Sequence, residues 1–232
     1  MSVVIVIGDT HEPFVHPMYR RFCLDIAEKY KASRVVHIGD VVDQHSAAPN
    51  YDSDPNGRST GDEMEEALKG VAAWHKSFPD ARVCIGNHDK RHILAARKAG
   101  LNDRYLRDYA EVWGTPSWKW ALSHEIDGVL YEHGTGTSGD SAALKRAVSN
   151  RQSTVIGHTH TGAGITYQAN KRSLIFGLNV GCGIDVDAYA FEYGVDLVKR
   201  PILGCGLVFN AEMALFVPMP CAPGQRYHRS RA

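Results

Sequence analysis

The sequence predicts an α/β fold in which two stacked β-sheets are flanked by helices. Short β-branched runs recur along the chain, and several of them end at a glycine that is followed by a polar residue. The first half alternates these runs with segments of helical periodicity, whereas the second half is mostly strand-like. Because each sheet must bury at least one face against another layer, this order of elements predicts a layered α/β sandwich.

The first half contains three predicted strands and two predicted helices. Continuous apolar runs predict buried strands, and apolar stripes at helical spacing predict helices. In chain order these elements are Val3–Ile7, the helix Pro17–Tyr30, Arg34–Ile38, the helix Asp62–Phe78 and Arg82–Ile85. Residues 47–61 are rich in Pro, Asn, Asp and Ser and predict a long loop. Residues 91–112 predict further helix, with a break near Gly100.

The second half opens with a predicted hairpin. The runs Trp120–Ile126 and Val129–Glu132 flank Asp127-Gly128, and Asp-Gly between such runs is a strong hairpin signal. The remaining elements are a predicted helix at Ser141–Ser149 and strands at Ser153–Ile156, Ile165–Gln168, Ser173–Asn179, Gly204–Phe209 and Ala214–Val217. The last four are expected to be antiparallel. Residues 182–200 have mixed character, and the sequence predicts no element there.

The composition limits the classes of protein and of partner. The chain has 232 residues, of which 44% are hydrophobic, and a domain of this size buries roughly 70–75% of its unfolded surface. We expect one domain over residues 1–224 and a disordered basic tail over residues 225–232. The 26 basic and 26 acidic residues balance, so the net charge does not require a polyanionic partner, although a local basic patch is compatible with it.

The cysteines and the N-terminal segment predict a cytoplasmic protein. The five cysteines are odd in number and form no C-x-x-C motif, which argues against a disulfide framework and a zinc-thiolate site and favours buried thiols in a reducing compartment. The apolar start has no basic region and stops at Gly8-Asp9. It is too short for a signal peptide or a membrane span. We expect no membrane partner, and the sequence leaves the oligomeric state open.

Residue types that bind metal ions follow five of the strand-like runs. Ligands of α/β sheets bind outside the carboxyl ends of the strands, so five strand ends at one edge would gather these side chains into one cleft. A glycine before most of them allows a sharp turn and a close approach of the backbone. The residues are Asp9 with His11, Asp40, Asn87 with His88, His133, and His158 with His160.

Such a cleft suits the hydrolysis of phosphate esters. Imidazole, carboxylate and amide ligands favour a borderline divalent ion such as Mn, Fe, Zn or Ni. Two ions about 3.5–4 Å apart clamp the attacking and leaving oxygens of a phosphoryl displacement, and metal-bound water loses a proton near neutral pH. The leaving oxygen needs a proton, which a nearby histidine can donate.

The motifs and their order resemble those of the calcineurin-like metallophosphoesterases. The matching blocks are Asp9-Thr10-His11, Gly39-Asp40-Val41-Val42-Asp43, Gly86-Asn87-His88-Asp89, His133 and Gly157-His158-Thr159-His160. The resemblance covers roughly residues 3–180. It implies a four-layer α-β-β-α sandwich with two mixed sheets and flanking helices. It also implies a hydrolase with two divalent metal ions, for which we expect Mn first and Fe, Zn or Ni as alternatives.

The resemblance assigns each metal ligand to one of the two ions. Each ion would be held by three residues of its own, and one carboxylate would bridge the pair. The ligands would be Asp9, His11 and His160 for the first ion, Asp40 as the bridge, and Asn87, His133 and His158 for the second ion.

The resemblance also implies the residues that act on the substrate. The Asn87 amide would contact the phosphate, His88 would donate a proton to the leaving group, and Asp89 would orient His88 as carboxylates often do. Protein phosphatases of this family usually carry Arg where this chain has Gln44. The missing guanidinium removes a bidentate phosphate anchor, which favours a small phosphodiesterase or a nuclease. His45, which follows, either contacts substrate or is a solvated loop residue.

Several residues near the motifs have two interpretations. Asp43 either supports a metal ligand or is a turn residue, and Lys90-Arg91 either steers an anionic substrate or begins a charged helix. His37 lies inside a predicted strand, which favours a core histidine. Two interpretations also apply to three tryptophans, which either stack on bases or pack in the core, with packing favoured. They are Trp113, Trp118 and Trp120.

The sequence therefore predicts a dinuclear metal-dependent hydrolase, with a phosphodiesterase as the first candidate. A phosphomonoesterase and a nuclease acting on DNA or RNA are the alternatives. The nuclease requires a basic groove, which the sequence does not reveal. A non-catalytic scaffold is disfavoured, because every expected ligand and the proton donor are present.

Overall fold

The computed structural model describes residues 2–48, 59–185 and 200–220. Most of the predicted loop over 47–61, most of the undecided segment over 182–200 and the predicted tail over 225–232 lie outside the described residues. In the described part, the strands are β1 Val3–Ile7, β2 Arg34–His37, β3 Arg82–Cys84, β4 Lys119–Ala121, β5 Ser123–Ile126, β6 Val129–Glu132, β7 Thr154–Ile156, β8 Ala163–Ala169, β9 Leu174–Val180, β10 Gly204–Phe209 and β11 Met213–Pro218. The α-helices are α1 Tyr19–Lys29, α2 Thr60–Ser77, α3 Arg91–Lys98, α4 Tyr109–Val112 and α5 Ala142–Asn150.

The first sheet has the strand order β11-β10-β1-β2-β3-β4. Strands β1 to β4 are parallel, and β10 runs antiparallel to β1 with Ile5 opposite Leu207. The apolar sequence of β1 is buried along its whole length, as expected for a central strand that is covered on both faces.

The second sheet has the strand order β5-β6-β7-β9-β8. Strands β6, β7 and β9 are parallel, and the outer strands β5 and β8 are antiparallel to their neighbours. The predicted hairpin is confirmed, with Ile126 opposite Val129. Its turn residues Asp127 and Gly128 have φ angles of 52° and 82°, the two positive values that a type I′ turn requires.

Strand β1 shows how the four layers are built. Its odd-numbered residues, such as Ile5, pack with α1 and α2 in one hydrophobic cluster. Its even-numbered residues, such as Val6, face the second sheet in another cluster that includes Leu178. On the far side, α5 packs Ala143 against Ile156 of the second sheet. The order helix, sheet, sheet, helix confirms the predicted four-layer sandwich.

Two predicted elements are divided in the structure. The run Trp120–Ile126 was expected to be one strand, but β4 pairs with β3 in the first sheet and β5 pairs with β6 in the second. The chain changes sheets at Leu122, which is 64% exposed. The helical stretch over 91–112 is interrupted at the predicted break, where Gly100 has a φ of 81°, and Asp108 then caps a new helix through the amide of Glu111.

The described cysteines are free thiols buried in the core, as predicted, whereas Cys221 lies outside the described residues. They are Cys23, Cys84, Cys182 and Cys205. Among the described residues, none of the helices combines the length and the apolar character needed to cross a membrane.

The packing of α5 on the second sheet predicts the effect of one substitution. A Cβ atom at Gly177 would overlap the backbone of Ala143 and Leu144, so Gly177→Ala should lower the free energy of unfolding by about 1–3 kcal/mol. Gly61→Ala is the matched control, since its Cβ would meet only Ser59 Oγ at 3.7 Å. Urea denaturation measures both, and equal stability of the two variants would contradict the packing.

Candidate metal centre

The predicted site residues converge at one edge of the sandwich. They follow the carboxyl ends of the parallel strands β1, β2 and β3 in the first sheet and β6 and β7 in the second. This arrangement explains why residues far apart in the sequence meet, because parallel strands end at the same edge. We call the space between these loops the cleft. It is surrounded by Asp9, His11, Asp40, Asn87, His88, His133, His158 and His160.

The first group of candidate ligands is Asp9, His11, Asp40 and His160, whose ligand atoms all lie within 4.8 Å of one another. The Nε2 of His160 lies 2.9 Å from Asp9 Oδ2, and the Nε2 of His11 lies 3.6 Å from Asp40 Oδ2. These four residues are the ones that the resemblance places around the first ion.

The second group is Asp40, His133 and His158, and the Asn87 amide joins it. The Nε2 of His133 lies 3.1 Å from Asp40 Oδ2 and 3.1 Å from Asn87 Oδ1. Its Nδ1 is 3.2 Å from the Ile38 carbonyl. Because a carbonyl only accepts, Nδ1 carries a proton, which leaves Nε2 as the nitrogen that faces the group. Asp40 therefore belongs to both groups.

The donor set fits a divalent transition-metal ion. The Nε2 atoms of His11 and His160 face each other at 3.3 Å, an arrangement that suits two ligands of one cation. Asp9 Oδ1 is buried and accepts no hydrogen bond from the described residues, and such a carboxylate oxygen is costly unless a cation balances it. Imidazole together with carboxylate favours borderline ions over Ca²⁺.

Asp43 supports two of the histidines, which decides between its two interpretations. Its Oδ1 accepts hydrogen bonds from His11 Nδ1 at 2.7 Å and from His88 Nδ1 at 3.0 Å. Burial alone would raise the pKa of Asp43, but these two hydrogen bonds hold the pKa well below its ordinary value. The contact fixes His11 with Nε2 towards the first group.

The expected contact between Asp89 and His88 is wrong. Asp89 Oδ1 accepts from the Val41 amide at 3.0 Å, and Asp89 Oδ2 accepts from the Gly86 amide at 2.8 Å. Asp89 therefore ties the loop that follows β2 to the loop that follows β3. Burial, and next the charge of Asp40, raise the pKa of Asp89 to about 7. The side chains of adjacent residues in a turn point in different directions, so Asp89 does not reach the His88 ring although it follows His88 in the sequence.

Gln44 and His45 lie at the rim of the cleft. The Nε2 of Gln44 donates to the carbonyls of His88 and Asp89 at 3.0 and 3.1 Å, and its Oε1 is 3.0 Å from His92 Nδ1. Gln44 is thus occupied in holding the start of α3. The His45 ring is 23% exposed and lies 3.8 Å from Asp43 Oδ2, a position compatible with either of its two interpretations.

Arg91, for which the sequence left open substrate steering and an ordinary helix start, brings a guanidinium to the cleft. Its Nη1 donates to the Asp43 carbonyl at 2.9 Å, and its Nη2 lies 3.2 Å from His88 Nε2. The only sequence signal was the pair Lys90-Arg91 directly after the third motif.

The residues expected in the core are found there. His37 is 1% exposed and lies 3.1 Å from Thr10 Oγ1, and burial lowers its pKa to about 3. Trp118 is buried and donates to the Phe78 carbonyl. Trp120 stacks on Tyr109 at 5.2 Å. These contacts favour packing over a stacking platform for bases.

The backbone is strained where ligands leave their strands. His11, Asp40 and His158 have φ angles of 47°, 46° and 65°, in the left-handed region that costs non-glycine residues about 1 kcal/mol or more each. Two glycines make room for the carboxylates. A Cβ atom would overlap Asp40 Oδ1 at Gly86 and Asp9 Oδ1 at Gly157.

The chain is similar to a known protein family and to several solved structures. A model described as calcineurin-like phosphoesterase matches residues 2–198. A metallophosphoesterase from Sphaerobacter thermophilus has 13% identity and a TM-score of 0.52, with 94% of this chain and 88% of that chain covered. Vacuolar protein sorting 29 from Cryptosporidium parvum has 15% identity and a TM-score of 0.45, covering 93% and 86%. The E. coli phosphoesterase YfcE has 15% identity and a TM-score of 0.41, covering 90% and 88%. No curated protein gives a match.

The shared carboxylate predicts the outcome of a metal-binding experiment. Asp40→Asn should weaken both groups, because Asp40 is common to them, whereas His160→Ala should weaken only the first. Binding of Mn²⁺ by equilibrium dialysis should show that Asp40→Asn loses affinity at every site by about tenfold or more. Full retention of tight binding by Asp40→Asn would contradict the shared position.

The glycine that faces Asp9 gives a second prediction. Gly157→Ala should displace the Asp9 carboxylate and lower Mn²⁺ affinity by about tenfold, the scale of damage from a misplaced ligand. Gly162→Ala, in the same loop, is the control, since its Cβ would meet nothing nearer than Thr159 Oγ1 at 3.6 Å. Equal affinity of the two variants in the same dialysis experiment would refute the steric argument.

Proposed function

The chain belongs to the calcineurin-like phosphoesterase family, and from that membership we propose that it is a phosphodiesterase that uses two divalent metal ions. As a member of the family it is a hydrolase of phosphoric ester bonds. The observation that supports a dinuclear centre is the Asp40 carboxylate, which belongs to both candidate ligand groups. Manganese is our first choice for the ions, with iron, zinc and nickel as alternatives for the same donor set.

The candidate ligands divide between the two ions as the resemblance implies. Asp9, His11 and His160 would hold one ion and Asn87, His133 and His158 the other, with Asp40 between them. When bound, such ions polarise the phosphoryl oxygens and lower the pKa of the attacking water. The Asn87 amide would also contact a phosphoryl oxygen.

His88 is the proton donor in this proposal. Its Nδ1 faces the Asp43 carboxylate and carbonyl at 3.0 and 2.9 Å, so Nδ1 carries a proton and Nε2 is the nitrogen that can reach a substrate. Burial alone would lower the pKa of His88, but Asp40 and Asp43 together raise it above its ordinary value. For this step Nε2 must carry a proton, so the departing oxygen takes the place of the Arg91 guanidinium, which can only donate. As water bonds to phosphorus and the ester P–O bond breaks, that proton passes to the departing oxygen.

The positions of Gln44 and Arg91 support a diester over a phosphomonoester substrate. Gln44 is hydrogen-bonded to the start of α3 and offers no bidentate anchor to a doubly charged monoester. Arg91 instead lies beside His88, at the side where a leaving group departs. A cytoplasmic location is part of the proposal and is supported by the buried, free cysteines of the described residues.

The role of His88 predicts a dependence on the leaving group. His88→Ala should keep its metal content yet hydrolyse methyl p-nitrophenyl phosphate and a dialkyl phosphate more slowly. The dialkyl ester should lose about 10²–10⁴-fold in turnover, and the p-nitrophenyl ester much less, because its leaving oxygen needs less protonation. His75→Ala is the control, since that ring is bonded to Ser117 on the surface.

Two results would contradict this proposal. Equal loss with both esters would remove the proton-donor role. A metal-loaded wild-type protein that hydrolyses phosphomonoesters but no diester would refute the diesterase in favour of the phosphomonoesterase, and one inert toward all phosphate esters would favour the scaffold alternative.

A further inference from the structure

A groove runs along α3 and is lined in part by Arg91, which contacts the proposed proton donor His88. It has a volume of about 490 Å³, within the range of small-molecule binding sites. We call it the α3 groove. Its described lining consists of Ser46, Ala47, Ala48, Arg91, Leu94, Ala95, Lys98 and Ala99.

We propose that the α3 groove binds a second phosphate on the leaving-group side of the substrate. The natural substrate is then a phosphodiester that carries a further phosphate, the chemistry shared by nucleic acid ends and by smaller phosphorylated diesters. This inference rests on the proposed function, because it extends the same cleft to the part of the substrate that departs.

One face of α3 forms the floor of the groove. Arg91, Leu94, Ala95 and Lys98 are spaced i, i+3, i+4 and i+7, which places them on a single stripe of the helix. Two cationic side chains therefore lie about 10 Å apart along the helix axis, with an apolar segment between them. Leu94 is 47% exposed, so this segment is open to a ligand.

The groove is joined to the chemistry through Arg91. The Nη2 of Arg91 lies 3.2 Å from His88 Nε2, the atom proposed to protonate the leaving oxygen. A leaving group that has just received that proton must therefore depart past Arg91. Because Arg91 also lines the α3 groove, the proposal places the leaving-group side of the cleft at this groove.

The charge of the groove selects an anion. Helix α3 carries three Lys or Arg residues and no acidic residue, although the chain as a whole has no net charge. Arg97 is paired with Asp103 outside the groove. The two cations that line the groove are Lys98 and Arg91, whose Nη1 lies 3.6 Å from Asp43 Oδ2, and the described lining of the groove contains no carboxylate. Arginine and lysine together are typical ligands of phosphate.

The test compares diesters that differ only in a second phosphate. The Mn²⁺-loaded full chain is given the dinucleotide TpT, the same dinucleotide phosphorylated at either end (pTpT and TpTp), and bis-p-nitrophenyl phosphate. Products separated by chromatography show which oxygen departs. We expect the isomer with its extra phosphate on the departing nucleoside to exceed TpT in kcat/KM by about tenfold or more, the effect of one charged contact.

An abasic arm separates phosphate recognition from base recognition. In this substrate the departing nucleoside is replaced by propanediol phosphate. If the gain is retained, the groove recognises phosphate, as proposed. If the gain disappears, the base is the recognised group and the proposal is overturned.

Lys98→Gln tests the groove itself, and Arg97→Gln is its matched control on the same helix. Lys98→Gln should abolish most of the gain from the second phosphate and reduce the slope of log kcat/KM against log salt by about 1, as expected for one lost phosphate contact. Arg97→Gln should preserve both. A purely structural effect of Lys98 would lower activity on all substrates alike and leave the salt slope unchanged, which would overturn the proposal.

Different results would contradict phosphate binding in the α3 groove and the proposed diesterase function. If bis-p-nitrophenyl phosphate and TpT are hydrolysed but neither phosphorylated isomer is preferred by more than twofold, the groove inference is overturned and the diesterase stands. If no diester is hydrolysed at all, the proposed function is refuted together with it.

Discussion

The buried carboxylate of Asp40 is the group on which the rest of the site depends. It is 1% exposed, and a charge at that depth is tolerated only when it is paired. Its Oδ1 accepts from the His88 amide at 2.8 Å, and its Oδ2 lies 3.1 Å from His133 Nε2. Although burial would raise the pKa of Asp40, the neighbouring histidines, His133 first, hold it well below its usual value. The loops of both sheets are thus organised around one negative charge.

The sandwich brings the two halves of the site together. Asp9 and Asp40 follow strands of the first sheet, whereas His133 and His158 follow strands of the second. The apolar layer between the sheets, which includes Val6 and Leu178, sets the distance between these strand ends. The left-handed backbone at several ligands is strain that this packing must offset, as is common at functional sites.

Polar contacts around the candidate ligands give different roles to residues that the sequence motifs alone do not distinguish. Asp43 and Asp89 are both buried carboxylates. Asp89 follows His88 in the sequence, whereas Asp43 contacts the His88 ring. Asp43 orients His11 and His88, whereas Asp89 accepts from the backbone amides of Val41 and Gly86 and thereby connects two loops. Gln44 and Arg91 show the same division, since Gln44 holds the start of α3 and Arg91 reaches the proton donor.

The sequence by itself determined the α/β class, most strand positions, the hairpin at Asp127-Gly128 and the identity of the residues around the cleft. These features are local, because periodicity, turn chemistry and metal-binding residue types at strand ends can be recognised from residues that are close together in the sequence. Only the tertiary structure decided that the chain changes sheets at Leu122, that Asp43 and not Asp89 orients His88, and that Arg91 joins the cleft. Each of these depends on the direction of a side chain or strand relative to elements far away in the chain, and that direction is set by packing between layers.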